Sequence, residues 1–301
     1  MQHATTPSYA VGVDIGGTKV FIVITDAGGK VFYKEKFRTP AAVGALIQRI
    51  ADCISESGVN RTMVGGLGVG VPGRVDSRRG IVIDVPSLKW HNLPLQSLFE
   101  QQFNVPVFFN NDVNLSLLGE RWLGSGQNVQ DLYYLAIGTG VGSAIFANGQ
   151  LIEGASFSAG EIGYFLEKAD LAYSFKNRNT EFGIFENKTS GTALTHQGLK
   201  LGYDPRQLFE RYVQGDSGTV AIIEEFITDL SLAIANVVSL LNPQLVIVGG
   251  GVSESMACVI GAIRRNVKEF SPIPTQIELA KLGGEAGAFG GAAYVFQKLN
   301  D

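Results

Sequence analysis

Apolar residues run along this chain in short unbroken blocks, and most blocks end in glycine. "YAVGVDIGG", from Tyr9, reads as a buried strand closing in a tight turn. "VFIVITD" and "KVFYKEKF" follow as two more strands, the second alternating like a strand with one solvated face. The period then changes: Val43, Leu46, Ile47, Ile50 and Ile54 recur at helical spacing and predict a helix over 41–57. "MVGGLGVGVPG" and "VPVFFNND" are two further short strands, each ending in residues suited to a site. Strands interleaved with helices predict an α/β lobe.

The second half repeats this opening. "DIGGTKVFIVITDAGGKV" from Asp14 matches "AIGTGVGSAIFANGQLI" from Ala136, which sets Gly16 and Gly138 122 positions apart. In each copy an apolar strand, a glycine turn, a second strand, another glycine turn and a third strand succeed one another. A repeat of this size predicts two similarly folded lobes with a cleft between them. An irregular polar stretch follows at 167–191, then a helix over 219–241 and the strand and glycine turn of "PQLVIVGGGVSES". A last helix over 286–299 closes the chain.

Composition narrows the function. The chain has 301 residues, 45% of them hydrophobic, enough for a large core. The net charge is −4 and no basic run tracks along the sequence, which argues against nucleic acid as a partner. Glu224, Glu225 and Asp229 interrupt the 219–241 helix and make it a poor membrane span. The first residues, "MQHATTPSYA", lack the basic-then-apolar pattern of a signal peptide, and two distant cysteines, Cys53 and Cys258, form no disulfide framework. The expectation is a cytoplasmic protein with no membrane partner.

Glycine, at 38 residues, is well above the roughly 7% of average usage. Three glycine turns follow apolar strands: "GVDIGGTK", "AIGTGVGS" and "VIVGGGVS". Backbone N–H groups in such turns form concave nests for anions. One alone is weak evidence, but two in repeat-related positions and a third after a later strand point to a nucleotide. There is no GxxxxGK[ST] loop and no GxGxxG opening a strand–helix unit, so a dinucleotide fold is disfavoured. Asp14 beside the first nest would repel a phosphate unless Mg²⁺ lay between them, directly or through water; otherwise it is a turn-capping aspartate. Lys19 could reach a phosphate or simply be a solvated strand residue. "VPVFFNNDVN" delivers Asn110, Asn111 and Asp112 at a strand end, where a carboxylate can take a proton from an alcohol and Asn111 can bond a hydroxyl. The alternative is an Asn/Asp turn.

Taken together, "DIGGTK", "GVGVPGRVD", "FNNDVN", "LAIGTGVGSAI", "GASFSAGEIGY", "NPQLVIVGGGVS" and "AGAFGGAA" resemble, in order and spacing, the ROK family of sugar kinases and related repressors. The resemblance runs from about residue 10 to 299. It implies an α/β fold of the actin-like, hexokinase-like (ribonuclease H-like) type, with two lobes, an internal duplication and a central cleft. The lobes would be 9–117 with the C-terminal helix 286–301, and 118–285. It implies ATP and Mg²⁺ as cofactors, a small-molecule sugar as substrate, and phosphoryl transfer to a hydroxyl, the 6-OH, of a hexose or hexose derivative. Asp112 matches the catalytic base, while Gly73, Asn111, Glu161 and Glu186 match sugar-binding positions. Gly16, Gly17 and Thr18 match the first phosphate loop, Gly138, Thr139 and Gly140 the second, and Gly249, Gly250 and Gly251 the loop near the adenosine. Analogy with the family also implies a homodimer.

Two departures bear on the substrate. Family members typically read "GEIGH" followed by a "CxCGxxGC" segment whose cysteines, with that His, bind zinc. Here Tyr164 replaces the His, and no Cys or His lies between Tyr164 and Glu186, so no zinc is expected. Ser87, in "VPSLKW", stands where many members place an Asn that contacts the sugar. Both changes fall on the sugar side, which opens the choice to a modified hexose or a glycoside; relatives with Tyr at that position include β-glucoside kinases. Two competing readings are a ROK transcriptional regulator lacking its DNA-binding domain and a non-catalytic sugar sensor. A first strand starting near residue 9 is expected to weigh against the regulator, whose winged helix-turn-helix would precede it, and Asp14, Asp112, Glu161 and Glu186 all stand against the sensor. Polyphosphate as donor finds no basic groove in the sequence.

Overall fold

The computed structural model describes residues 8–173 and 183–300 and divides the chain into two compact units. Unit 1 comprises Met1–Gln127, Glu153–Ser158 and Glu285–Asp301, and unit 2 comprises Asn128–Ile152 and Ala159–Gly284. The first break falls after Gln127 rather than after residue 117, because the helix that begins at Asp112 continues to Leu123 and packs along the C-terminal helix of unit 1.

Unit 1 contains β1 (Tyr9–Ile15), β2 (Lys19–Thr25), β3 (Val31–Arg38), α1 (Val43–Glu56), β4 (Val64–Val71), β5 (Arg74–Asp76), β6 (Ile81–Val85), β7 (Trp90–Leu93), α2 (Leu95–Phe103), β8 (Val107–Asn111), α3 (Asp112–Leu123) and the C-terminal helix Ala286–Asn300. Its main sheet has the order β3-β2-β1-β4-β8; β1 to β3 are antiparallel, and β4 and β8 run parallel to β1. Strands β5 to β7 form a small separate antiparallel sheet. The buried apolar runs of β1 and β4 are covered on both faces, as expected for the parallel part of an α/β sheet. One face packs on α1 and α2 through Leu46, Ile50, Leu95 and Phe99.

The other face receives the C-terminal helix at backbone contact. A Cβ on Gly12 would lie 1.8 Å from the Ala288 carbonyl, and one on Gly68 2.0 Å from that of Gly291. Gly290 and Gly119 bring the same helix against α3 in the same way. This explains why "AGAFGGAA" is made of small residues: any side chain would push the helix off the sheet. The close approach also fixes where the start of that helix lies relative to the end of β1.

Unit 2 repeats the pattern. It contains β9 (Leu132–Ile137), β10 (Val141–Ala147), β11 (Gln150–Ile152), α4 (Ile184–Thr189), α5 (Gly191–Leu199), α6 (Pro205–Val213), α7 (Ser217–Leu241), β12 (Leu245–Gly249), α8 (Ile260–Phe270) and β13 (Gln276–Leu279). The sheet order β11-β10-β9-β12-β13 reproduces that of unit 1, with β9 to β11 antiparallel and β12 and β13 parallel to β9. The 122-residue repeat is thus a repeat of structure. The polar stretch 167–191 is less irregular than expected: a 3-10 turn, Lys168–Tyr173, and α4 fall within it. Residues 174–182 of that stretch, on which part of the zinc expectation rests, lie outside the described residues. Among the described residues no helix is long and apolar enough to cross a membrane.

Candidate active site

Sheet register assembles the centre of unit 1. Asp14 pairs with Gly70 across β1 and β4, and Gly70 pairs with Asn110 across β4 and β8, so the three sit in one row. Gly70 offers no side chain between them. A Cβ there would lie 3.5 Å from Asp14 Oδ1 and 3.4 Å from the Asp112 Cα, so two aspartates flank one bare position. The Asp14 carboxylate also lies against the first turn of the C-terminal helix: a Cβ on Gly287 would come within 2.7 Å of its Oδ2.

Three consecutive residues then hold the third strand end. Asn110 is buried; its Oδ1 accepts from the Asn111 N–H (2.8 Å) and from Asn114 Nδ2 (2.8 Å), and its Nδ2 donates to Glu153 Oε1 (3.0 Å). Asn111 caps α3, accepting from the Val113 N–H (2.8 Å) and the Asn114 N–H (3.2 Å), as N-cap asparagines do. Its Nδ2 donates to the Gly73 carbonyl at 2.9 Å. Asp112 is therefore the first residue of a capped helix, with its backbone fixed and its Oδ1 accepting from the Val113 N–H (2.9 Å).

Electrostatics sets the two aspartates apart from ordinary surface acids. Burial pushes Asp112 up to about 6, although the N–H groups of Val113 and Asp112 itself oppose the rise. Burial pushes Asp14 further, to about 8; the Asp112 charge adds to the effect and Lys36 opposes it. Among the described residues neither carboxylate has a cation within ion-pair distance. Two desolvated carboxylates without a counterion are the donor set a hard divalent cation takes. A second group of metal-type side chains, Glu35, Cys53 and Glu56, is already occupied. The Arg49 guanidinium bonds both its carboxylates, and burial pushes the Cys53 thiol up to about 12.

The first glycine loop, Gly16 to Thr18, is the β1–β2 hairpin, closed by a bond from the Gly16 N–H to the Lys19 carbonyl (2.9 Å). Gly17, Thr18 and Lys19 are exposed, and a Cβ on Gly17 would lie 3.5 Å from Ser87 Oγ. Ser87 is thus placed beside this hairpin. Gly73 has φ 78°, and a Cβ there would strike the Asp84 carbonyl at 2.3 Å, so only glycine lets Asn111 reach its carbonyl.

In unit 2 the hairpin Gly138–Gly140 closes through the Gly138 N–H and the Gly140 carbonyl (2.9 Å). Glu186 braces it. Its Oε1 accepts from the Val141 N–H (2.9 Å) and its Oε2 from the Gly183 N–H (3.2 Å), and a Cβ on Gly140 would fall 2.0 Å from Oε1. Burial raises the Glu186 pKa while those two N–H groups lower it. Glu161 is exposed and Tyr164 half-buried, at the two ends of one tight turn whose next residue but one, Gly163, touches the Glu186 side chain. Beyond Tyr164 the chain is tied to α4: Asp170, buried, bonds Lys188 at 2.7 Å, and Phe165 packs on Phe185.

The third loop is less uniform than its sequence. A Cβ on Gly249 would strike Tyr134, and Gly250, with φ 83°, crosses the backbone of Ile137; both are there for packing. Gly251, like Gly138, has open space where a Cβ would be. The sequence reasoning missed what joins the two loops: the Gly191 N–H donates to the Gly138 carbonyl (2.8 Å), Thr192 Oγ1 donates to that of Thr139 (2.7 Å), and Gly191 lies against Val252. The signal was the "TSGTAL" start of α5, a Ser-capped helix opening on glycine. It also missed Gly70, set by strand register, and Gly287 and Glu153, set by contacts between elements distant in the chain.

The model of the ROK family matches residues 10–298. The chain belongs to the ROK family. A glucokinase of Halalkalibacterium halodurans is 30% identical, with 96% of each chain covered. A beta-glucoside kinase of Listeria monocytogenes is 28% identical over 95% of this chain and 97% of its own. Xylose repressors are also similar to this chain. Among solved structures, a ROK glucokinase from Streptomyces griseus in complex with glucose and AMPPNP superposes with a TM-score of 0.79 at 28% identity, covering 96% of this chain and 99% of that one. The fold of this ROK protein is therefore the actin-like fold, its duplicated sheets being the two halves of that architecture.

Proposed function

We propose that this ROK protein is an ATP-dependent sugar kinase that transfers the γ-phosphoryl group to a hexose hydroxyl, the 6-OH, with Asp112 as general base. The observation that carries the reading is the row Asp14–Gly70–Asn110 with Asp112 at its end: a desolvated, rigidly capped carboxylate at a strand terminus, poised near neutral pH. A carboxylate pushed up to about 6 is mostly ionised at pH 7 and yet basic enough to draw a proton from an alcohol as its oxygen attacks phosphorus. The rest of the work in phosphoryl transfer is positioning and charge neutralisation.

Asp14 would hold Mg²⁺, directly or through water, and the ion's contribution is to offset the negative charge of the transferred group. The hairpins at Gly16–Thr18 and Gly138–Gly140 present backbone to phosphate, and Gly251 presents it to the nucleoside. Asn111, with its carbonyl committed to capping α3, would turn its remaining amide hydrogen to the sugar, beside Gly73 and Ser87. Glu161 and Tyr164 would take further hydroxyls, and Glu186 would do so with the lone pairs its two backbone bonds leave. No zinc is assigned, since Asp170–Lys188 and Phe165–Phe185 already tie down the segment after Tyr164.

A coupled assay of ADP release across hexoses, amino sugars and glycosides tests the reading, with Asp112→Asn as control. Turnover on at least one sugar, lost in the variant, is expected. No turnover on any sugar, with sugar binding intact, would instead establish a sensor or regulator.

A further inference from the structure

Two arms of unit 1 leave neighbouring residues of the site and meet again at their tips. Asn110 holds Glu153 (3.0 Å), and Asn111 holds the Gly73 carbonyl (2.9 Å). From Glu153 the chain runs four residues to Phe157, and from Gly73 it runs five residues, through β5, to Arg78. There the arms close: the Arg78 guanidinium lies over the Phe157 ring, 5.7 Å from its centroid. The circuit Asn110–Glu153–Phe157–Arg78–Gly73–Asn111 starts and ends at the two residues that precede Asp112 in the chain. At no more than about 3.6 Å per residue, Phe157 stands within about 14 Å of Glu153 and Arg78 within about 18 Å of Gly73.

The tip residues are not what a loop needs for folding. Phe157 has φ 58°, a left-handed conformation that a bulky aromatic adopts rarely and only under strain. Its chain neighbours are Gly154, Ala155, Ser156 and Ser158, none of which needs an aromatic to bury it, and it stays half-exposed. Arg78 is exposed at a hairpin turn whose backbone is already held by Asp76, which accepts from the N–H groups of Arg78 (3.1 Å) and Arg79 (3.0 Å). The turn needs no guanidinium. A strained aromatic and a five-donor cation are thus held together beside a hydroxyl-phosphorylating centre by that centre's own asparagines.

We propose that Phe157 and Arg78 form a subsite for a substituent carried by the hexose, a second sugar ring or an aryl group, so that the substrate is a glycoside. The apolar face of the substituent lies on the Phe157 ring, and Arg78 donates to its hydroxyls or stacks on its ring. The inference rests on the sugar-kinase reading and narrows its substrate class. It also agrees with the departures at Ser87 and Tyr164, both on the sugar side.

The test uses the full chain and compares kcat/KM on glucose with that on phenyl β-glucoside and cellobiose. Phe157→Asn removes the ring with a residue that tolerates the same backbone conformation, so folding is expected to be kept or improved; Phe157→Tyr restores an aromatic. The ratio of glycoside to glucose kcat/KM is expected to fall about tenfold in Phe157→Asn through KM, to fall less in Arg78→Ala, and to recover in Phe157→Tyr. An unchanged ratio, or a wild-type enzyme that phosphorylates glucose and rejects every glycoside, overturns the subsite and leaves the kinase reading standing. Should no sugar turn over, the kinase reading falls. Calorimetric titration with phenyl β-glucoside then decides the subsite: weaker binding to Phe157→Asn than to wild type supports it, and equal or absent binding overturns it.

Discussion

The aspartates of unit 1 and Glu186 of unit 2 are acids at related places, each beside the glycine hairpin of its own sheet, and they are treated in opposite ways. Glu186 is given two backbone N–H groups, one for each oxygen, and serves as a strut between the hairpin and α4. Asp14 and Asp112 flank Gly70 with no cation within ion-pair distance among the described residues, and burial pushes them up to about 8 and about 6. A carboxylate that braces a fold is satisfied locally. A pair kept desolvated and mutually repelling costs stability, and such pairs mark the places where a cation or a proton is to be received.

The sharpest way to break this contrast is at Asp112. Asp112→Asn keeps the size and the cap geometry but removes the base, and kcat is expected to fall by about 10²–10⁴-fold with little change in KM for the sugar. Glu186→Gln is expected to cost far less in kcat, about tenfold at most, because the amide oxygen still accepts one of the two N–H bonds. Steady-state kinetics of the two variants checks both; equal losses would erase the distinction. In the wild type, kcat/KM is expected to rise with pH through about 6 as Asp112 loses its proton.

Asp14 adds a stability test. Its folded pKa is raised, so folding favours its protonated form; the stability it contributes is fully present below about pH 4 and is lost as pH rises through about 8. Asp14→Asn is therefore expected to abolish activity while raising the melting temperature at pH 8, by a few degrees, and to leave it nearly unchanged at pH 4. Saturating Mg²⁺ should narrow the gap by stabilising the wild type alone. A variant less stable than wild type at pH 8 would show that Asp14 braces the fold, as Glu186 does through its two backbone bonds.

How much of this could be read in the chain follows the same division. The duplicated strands, the helices near 41–57, 219–241 and 286–299 and the glycine turns were legible, because period and turn chemistry are local. The motifs singled out Asp14, Asn111 and Asp112, and the structure places them at the ends of neighbouring elements of one sheet. What was hidden depends on register and close approach. Nothing local says that Gly70 lies between two aspartates, that Asn111 spends its carbonyl on a cap, or that Gly249 and Gly250 exist to clear Tyr134 and Ile137 while Gly251 lies open. Likewise, α4 was lost in a polar stretch because its six residues are too few to show a period.

The smallest predicted effect separates glycines that look alike in sequence. Gly138 and Gly140 lie two residues apart in one hairpin, yet a Cβ at Gly138 meets nothing within 4 Å, whereas one at Gly140 would sit 2.0 Å from Glu186 Oε1. Gly140→Ala must displace the carboxylate that braces the hairpin, and it is expected to cost about 1–3 kcal/mol of stability. Gly138→Ala should be within about 0.5 kcal/mol of wild type in denaturant unfolding and yet raise KM for ATP, since among the described residues the methyl group meets nothing and would crowd a bound ligand instead. Combining Gly140→Ala with Glu186→Ala removes the obstacle along with the strut, so the double variant should be less destabilised than the two single losses added together. Simple additivity would mean that the glycine and the glutamate are not coupled, and that the strut reading of Glu186 is wrong.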